Sequence, residues 1–271
     1  MREYFDPEAI KKRAEMRGDT DLQAVKDAAE KFLDYDLAVD FSHPDRPLVW
    51  HPFFDNDIVV LNPGERDVNK LILLQIANNP DDLARAKDRM RDIICNCDSA
   101  SSIFWHVCRP YRLDFFSAVE ENLSLEDFSD ILSQIWADSR SIHKSAVESK
   151  ETFVSYFETI NPHTFMKAEE YEAFVALPDE VTIYRGIEYD SKKGCTQEMI
   201  QGMSWALKPE TATYYAKRLL IVGGRTGAVY KAKIKNEDVL AYYNMESPTV
   251  IVNSAKLYGI ELVKEYEGNE E

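Results

Sequence analysis

The chain has 271 residues, 45% hydrophobic and 30% charged, with a net charge of −16 and a pI of 4.8. That length holds one large domain or two small ones with an ample core, and the acidic balance opposes nonspecific binding to nucleic acid or anionic membranes. No apolar run approaches the ~20 residues of a membrane span, four cysteines make no disulfide framework, and residues 1–6 lack the apolar core of a secretory leader, so a cytoplasmic setting is expected.

Residues 7–35 predict two helices. Asp6 caps the first and Pro7 suits its first turn, ahead of Ala9, Ile10 and Ala14. Gly18-Asp19 interrupts, and Leu22, Val25, Ala28, Ala29 and Phe32 follow at helical spacing. Residues 42–52 carry three prolines and read as loop. Ile58-Val59-Val60-Leu61 is a strand candidate closed by the turn Asn62-Pro63-Gly64. Helical spacing resumes over residues 67–111, broken at Asn78-Asn79-Pro80, with Leu83, Ala86, Met90, Ile93 and Ile94 as its second apolar stripe. Ser124 caps a further helix bearing Phe128, Leu132 and Ile135, and a polar helical stretch then runs through Val154, Phe157 and Phe165 to Phe174. Leu177-Pro178-Asp179 marks a boundary, after which strands dominate: residues 181–185, 227–234, 239–243, 250–252 and 257–263. The sequence therefore predicts an α+β chain, helical over 1–176 and β-rich over 177–271, with helices from about residue 125 packing on the latter. No internal repeat of 20–50 residues is visible.

Three short stretches carry chemistry. Val181-Thr182-Ile183-Tyr184-Arg185-Gly186 alternates as a strand does and ends on a fixed cation beside a glycine that permits close approach. Gly202-Met203-Ser204-Trp205 precedes a helix-like run in which Ala212, Tyr215, Ala216 and Leu219 recur. Glu246 stands ahead of the short strand Val250-Ile251-Val252. Each has an ordinary reading as well. A strand-end arginine is most often a surface charge or a carboxylate's partner, a serine before a helix is a cap, and Tyr215 has the spacing of a core residue, which leaves Tyr214 as the better ligand candidate.

Together these stretches resemble the R-S-E class of ADP-ribosyltransferases, in its bacterial and phage form with a Y-R-G strand and a G-x-S-W turn. The resemblance covers residues 178–252 well and 136–252 loosely. It implies a two-sheet core that binds NAD in the cleft between sheets and transfers ADP-ribose to an acceptor, expected to be a protein side chain, in a toxin-like or host-modifying role. It further implies that Arg185 anchors the dinucleotide, with Tyr184 and Gly186 beside it, that Ser204 meets the ribose, and that Trp205 or Tyr214 lies against the nicotinamide ring. The acid of the family precedes the V-I-V strand directly. Here Thr249 holds that place and Glu246 lies three residues upstream, before Ser247-Pro248. Either a bulged loop brings Glu246 to the site or the chain is a catalytically inactive NAD-binding module; a structural protein whose helical half carries the function is a third reading.

Other clusters read as structural. Cys95, Cys97, His106 and Cys108 lack the C-x₂₋₄-C spacing of zinc sites and flank apolar helix, so no metal is expected. Gly223-Gly224-Arg225-Thr226-Gly227 lacks the G-x-x-x-x-G-K pattern and reads as a glycine-capped helix end entering a strand. Glu237 and Asp238, the other acids ahead of an apolar run, read as a solvent-facing turn.

Overall fold

A computed structural model describes residues 6–40, 48–55, 80–138, 149–218, 220, 224–244 and 247–268. The chain is α+β. It divides into two compact units, one of residues 11–149 and one of residues 150–271 joined by the start of the first helix.

The first unit is mainly helical: α1 (Pro7–Arg17), α2 (Leu22–Leu33), α3 (Pro80–Asn96), α4 (Ala100–His106), α5 (Arg112–Val119) and α6 (Leu125–Asp138). The expected caps Asp6 and Ser124 are in place, accepting from the Ala9 N–H at 3.4 Å and the Asp127 N–H at 3.1 Å. Of Thr20 and Asp21, either of which could cap α2, Asp21 does so, accepting from the Ala24 N–H at 3.0 Å. α2 buries Val25, Ala29, Phe32 and Leu33 on one face. Phe32 meets Phe115 edge-on, Phe104 tilts against Phe115, and Phe116 packs on Phe128. Three short strands, β1 (Ala38–Asp40), β2 (Leu48–His51) and β3 (Phe54–Asp55), pair antiparallel. β2 falls inside the proline-rich stretch read as loop; Pro44 and Pro47 precede the strand and Pro52 follows it, so none removes a ladder donor. The strand expected at 58–61 and the helical spacing over 67–79 lie outside the described residues.

The second unit opens with α7 (Lys150–Thr159), α8 (Pro162–Phe165) and α9 (Ala168–Val175). Its strands are β4 (Glu180–Asp190), β5 (Ser204–Ala206), β6 (Arg225–Lys235), β7 (Val239–Tyr243), β8 (Thr249–Val252) and β9 (Tyr258–Glu267), with α10 (Gln197–Ile200) and α11 (Pro209–Lys217) between them. All six are antiparallel, in the order β7-β8-β5-β4-β6-β9. The chain divides between residues 149 and 150, so the helices from Lys150 onward belong with the strands that follow residue 177. The reason is packing: α7 to α9 bury Phe153, Phe157, Phe165 and Phe174, and α7 and α9 lie against β7. The Tyr242 N–H points at the Met166 sulfur, and the Asn244 N–H donates to the buried Glu170 carboxylate at 2.8 Å.

Where two sheets were expected, the six strands are hydrogen-bonded into one. It has a narrow waist, however. β4 pairs with β6 along eleven positions but with β5 at one alone, Tyr184 opposite Ala206. Two three-stranded halves, β7-β8-β5 and β4-β6-β9, therefore meet at a single residue pair. Two glycines let α11 lie close on the sheet. A Cβ on Gly186 would overlap the Ala212 carbonyl oxygen, and one on Gly227 that of Ala216. Ala206, Ala212, Ala216 and Val229 fill the contact, with Tyr184 and Tyr266 packed at its side.

Candidate functional site

Arg185 sits one residue past the waist. Its Nε–H donates to the Met199 carbonyl at 2.9 Å and its Nη1 to the Ser204 carbonyl at 2.5 Å. Gly202 lies flat against the guanidinium, where any Cβ would overlap it. Burial lowers the pKa of Arg185 to about 10, which leaves it charged at neutral pH. A half-buried cation that meets no carboxylate among the described residues, held by carbonyls on two of its nitrogens, keeps further N–H donors for an anion.

A second cation secures the same segment. Lys150, at the start of α7, donates to the Gln201 carbonyl at 3.1 Å and reaches that of Glu198 at 3.5 Å. Lys150 and Arg185 together collect four carbonyls between residues 198 and 204. Sequence reasoning missed Lys150, because nothing in the chain links a helix-start lysine to a turn some fifty residues on, and it gave Gly202 no role of its own.

The other expected residues take differing places. Ser204 opens β5 with its side chain exposed and caps no helix; α11 begins at Pro209 after Lys208, without a side-chain cap. Trp205 is 1% exposed, and its indole N–H donates to the Gly202 carbonyl at 2.7 Å, so it supports the turn from the core side. Tyr184 is half-buried beside α11, and Gly186 spends its missing Cβ on the approach of that helix. Tyr214 is 58% exposed on α11 and meets Tyr215 edge-on at 5.5 Å, so it is the tyrosine open to a ligand.

Glu246 lies outside the described residues. On either side of it, Ser247 hydrogen-bonds Thr211 on α11, and the Asn244 N–H is held by Glu170. Thr249 pairs with Ala206 at the start of β8, its hydroxyl donating to the Tyr243 carbonyl at 3.0 Å. The competing acids Glu237 and Asp238 belong to a single 3₁₀ turn between β6 and β7, with Glu237 paired to Lys235 at 3.4 Å. Burial and Glu237 raise the Asp238 carboxyl.

In the same half-sheet as Arg185, and on its face, stand two tyrosines. Tyr230, opposite Arg185, donates its hydroxyl to the Cys195 sulfur at 3.7 Å, and Tyr189 donates to Glu265 at 2.8 Å. Burial, with these partners, raises Tyr189 to about 12 and Tyr230 further, so both remain protonated.

Elsewhere, Cys95, Cys97 and Cys108 form no disulfide, and no group of His, Cys, Asp and Glu among the described residues could hold a metal ion. Gly224 has φ +78° directly ahead of β6, but α11 ends at Lys217, so the glycine serves a turn into the strand and does not cap the helix. No helix among the described residues is long and apolar enough to cross a membrane. No protein-family model, curated protein or solved structure matches the chain.

Proposed function

We propose that this chain binds NAD and transfers its ADP-ribose to an acceptor, a protein side chain, releasing nicotinamide. One observation carries the reading. The strand bearing Arg185, the strand opening at Ser204 and the strand following Glu246, the last of them more than forty residues further on, stand side by side as β4, β5 and β8. The narrow joint between β4 and β5 favours a core of two half-sheets with a cleft at Arg185.

In this reading Arg185 binds the pyrophosphate with the N–H groups its two carbonyls leave over, Ser204 meets the ribose, and Tyr214 covers the nicotinamide. As the glycosidic bond breaks, nicotinamide leaves with the bonding electrons and the ribose becomes cationic. A carboxylate at Glu246 stabilises that charge, the acceptor's lone pair forms the new bond to the ribose, and the acceptor gives up a proton. The cytoplasm is the setting we assign to it.

A second reading, an NAD-binding module without turnover, is favoured by one feature. Thr249 holds the place next to the strand, and its hydroxyl is committed to the Tyr243 carbonyl. Calorimetric titration with NAD tests both readings at once, since absence of binding removes both. Measuring nicotinamide release from the NAD-bound protein then separates them: steady release identifies the enzyme, binding without release the module.

A further inference from the structure

The last turn of α11 and the facing strand β9 gather cations over tyrosine rings. Lys217 Nζ stands 4.4 Å from the ring centre of Tyr266 and Lys264 Nζ 5.2 Å from the same centre, while the Arg218 guanidinium lies 5.6 Å from that of Tyr215. Lys264 and Tyr266 pair with Val229 and Gly227, the positions on which α11 packs, so helix and strand present these groups on one face.

Among the described residues, these cations are held by rings and not by carboxylates. With 48 acidic residues against 32 basic, a surface cation here has ample carboxylates to pair with. The lysines of β6 do so: Lys231 with Glu261, Lys233 with Glu180 and Lys235 with Glu237. Lys217, Arg218 and Lys264 meet no carboxylate among the described residues, and Lys217 and Lys264 converge on one ring, whose quadrupole attracts both. An arriving phosphate supplies the missing counter-charge. Tyr214, exposed beside Tyr215, adds a free aromatic face.

We propose that this patch binds single-stranded nucleic acid, its phosphates between Lys217, Lys264 and Arg218 and a base stacked on Tyr214. Cations that track a backbone and aromatic faces that stack bases are what such binding requires. A merely acidic peptide would have no use for the exposed ring. The overall charge of −16 opposes association at long range, so the contact is weak and confined to these residues. The inference goes beyond the NAD reading and shares Tyr214 with it; Lys217, Lys264 and Arg218 have no part in that reading, so the charge-reversal variant tests the patch apart from it.

The test is fluorescence anisotropy of the full chain with labelled twelve-nucleotide oligo-U and oligo-dT across a salt series. Three phosphate contacts predict a slope of log K against log salt of about −2, so doubling the salt weakens binding about fourfold. Lys217→Glu/Lys264→Glu is expected to lower affinity at least about tenfold and flatten that slope, and Tyr214→Ala to lower it about fivefold or more. The matched reversal Lys31→Glu/Lys256→Glu, outside the patch, should change little, and melting curves confirm that each variant is folded. Absence of binding at low salt, equal loss in the matched reversal, or binding to phosphatidylserine vesicles but not to the oligonucleotides would each overturn the proposal.

Discussion

Arg185 holds two carbonyls with a planar fork, and a lysine in its place would keep the charge but lose the second arm. Removing the side chain leaves the carbonyls of Met199 and Ser204 without charged donors, at a cost in stability of about 1–3 kcal/mol. In the proposed site the same fork binds NAD, so Arg185→Ala is expected to weaken NAD by about 2–4 kcal/mol, with little recovery in Arg185→Lys. Calorimetry at a temperature where circular dichroism shows both proteins folded separates the two effects. Equal affinity in wild type and Arg185→Ala would remove the site assignment. His51 gives a second residue-scale expectation. It is 1% exposed, its Nε2–H shared between the carbonyls of Leu33 and Tyr35 at 3.2 Å, and its Nδ1 accepts from the Phe53 N–H at 3.0 Å. Only the neutral ring satisfies that arrangement, and burial, reinforced by Lys87, lowers its pKa to about 4. Between pH 6.5 and 4 the unfolded chain therefore takes up a proton that the folded chain refuses. Stability contributed by His51 is fully present above pH 6.5 and declines as the pH falls toward 4. Urea unfolding at pH 7 and pH 4.5 should show a larger loss for wild type than for His51→Asn, and equal losses would contradict it.

At the scale of elements, α11 rests on the sheet through two glycines, which makes a sharp contrast with the turn glycines. Gly186→Ala must push the backbone of α11 away from β4, an overpacking that costs about 1–3 kcal/mol or more. Gly194 has φ +75° and open space around it, so Gly194→Ala meets only backbone strain, about 1 kcal/mol. Thermal denaturation of the two variants should rank them in that order, and a Gly194 variant the less stable of the pair would show that helix contact is not what Gly186 serves. The sequence displayed the glycine but not its neighbour. Alternation of Val181, Ile183 and Ile187 marks β4 as a half-buried strand because a two-residue period needs only local information. That the open side of Gly186 meets a helix more than twenty residues later is a tertiary fact with no local trace. Ser204 failed as a cap for a related reason: Pro209 supplies its own start to α11, and Trp205, drawn into the core, turns residues 204–206 into strand.

For the whole molecule, the legible part was composition and pattern. The switch from helices to strands near residue 177 is real, yet the units divide at residue 150, because a helix's apolar stripe states that a face is buried and not against what. The adjacency of β8, β5 and β4 was not legible, since the intervening distances in sequence say nothing of strand order. That adjacency gives the acid its test. Ribosyl transfer demands negative charge beside a developing cation, and a preorganised carboxylate in a dry site contributes several kcal/mol. Glu237 and Asp238 lie on the turn between β6 and β7, whereas Glu246 belongs to the connection that enters β8, next to the strand of Ser204. Glu246→Gln preserves shape and removes charge, so NAD should bind with nearly unchanged affinity while nicotinamide release falls by at least about a hundredfold. Thr249→Glu places an acid directly at the strand, where Thr249 now faces the Tyr243 carbonyl, and should raise release if the natural chain turns NAD over slowly. Unchanged release in Glu246→Gln would exclude this residue as the stabilising acid. Loss of release in Glu237→Gln or Asp238→Asn, with Glu246→Gln silent, would move the chemistry to the opposite end of β7.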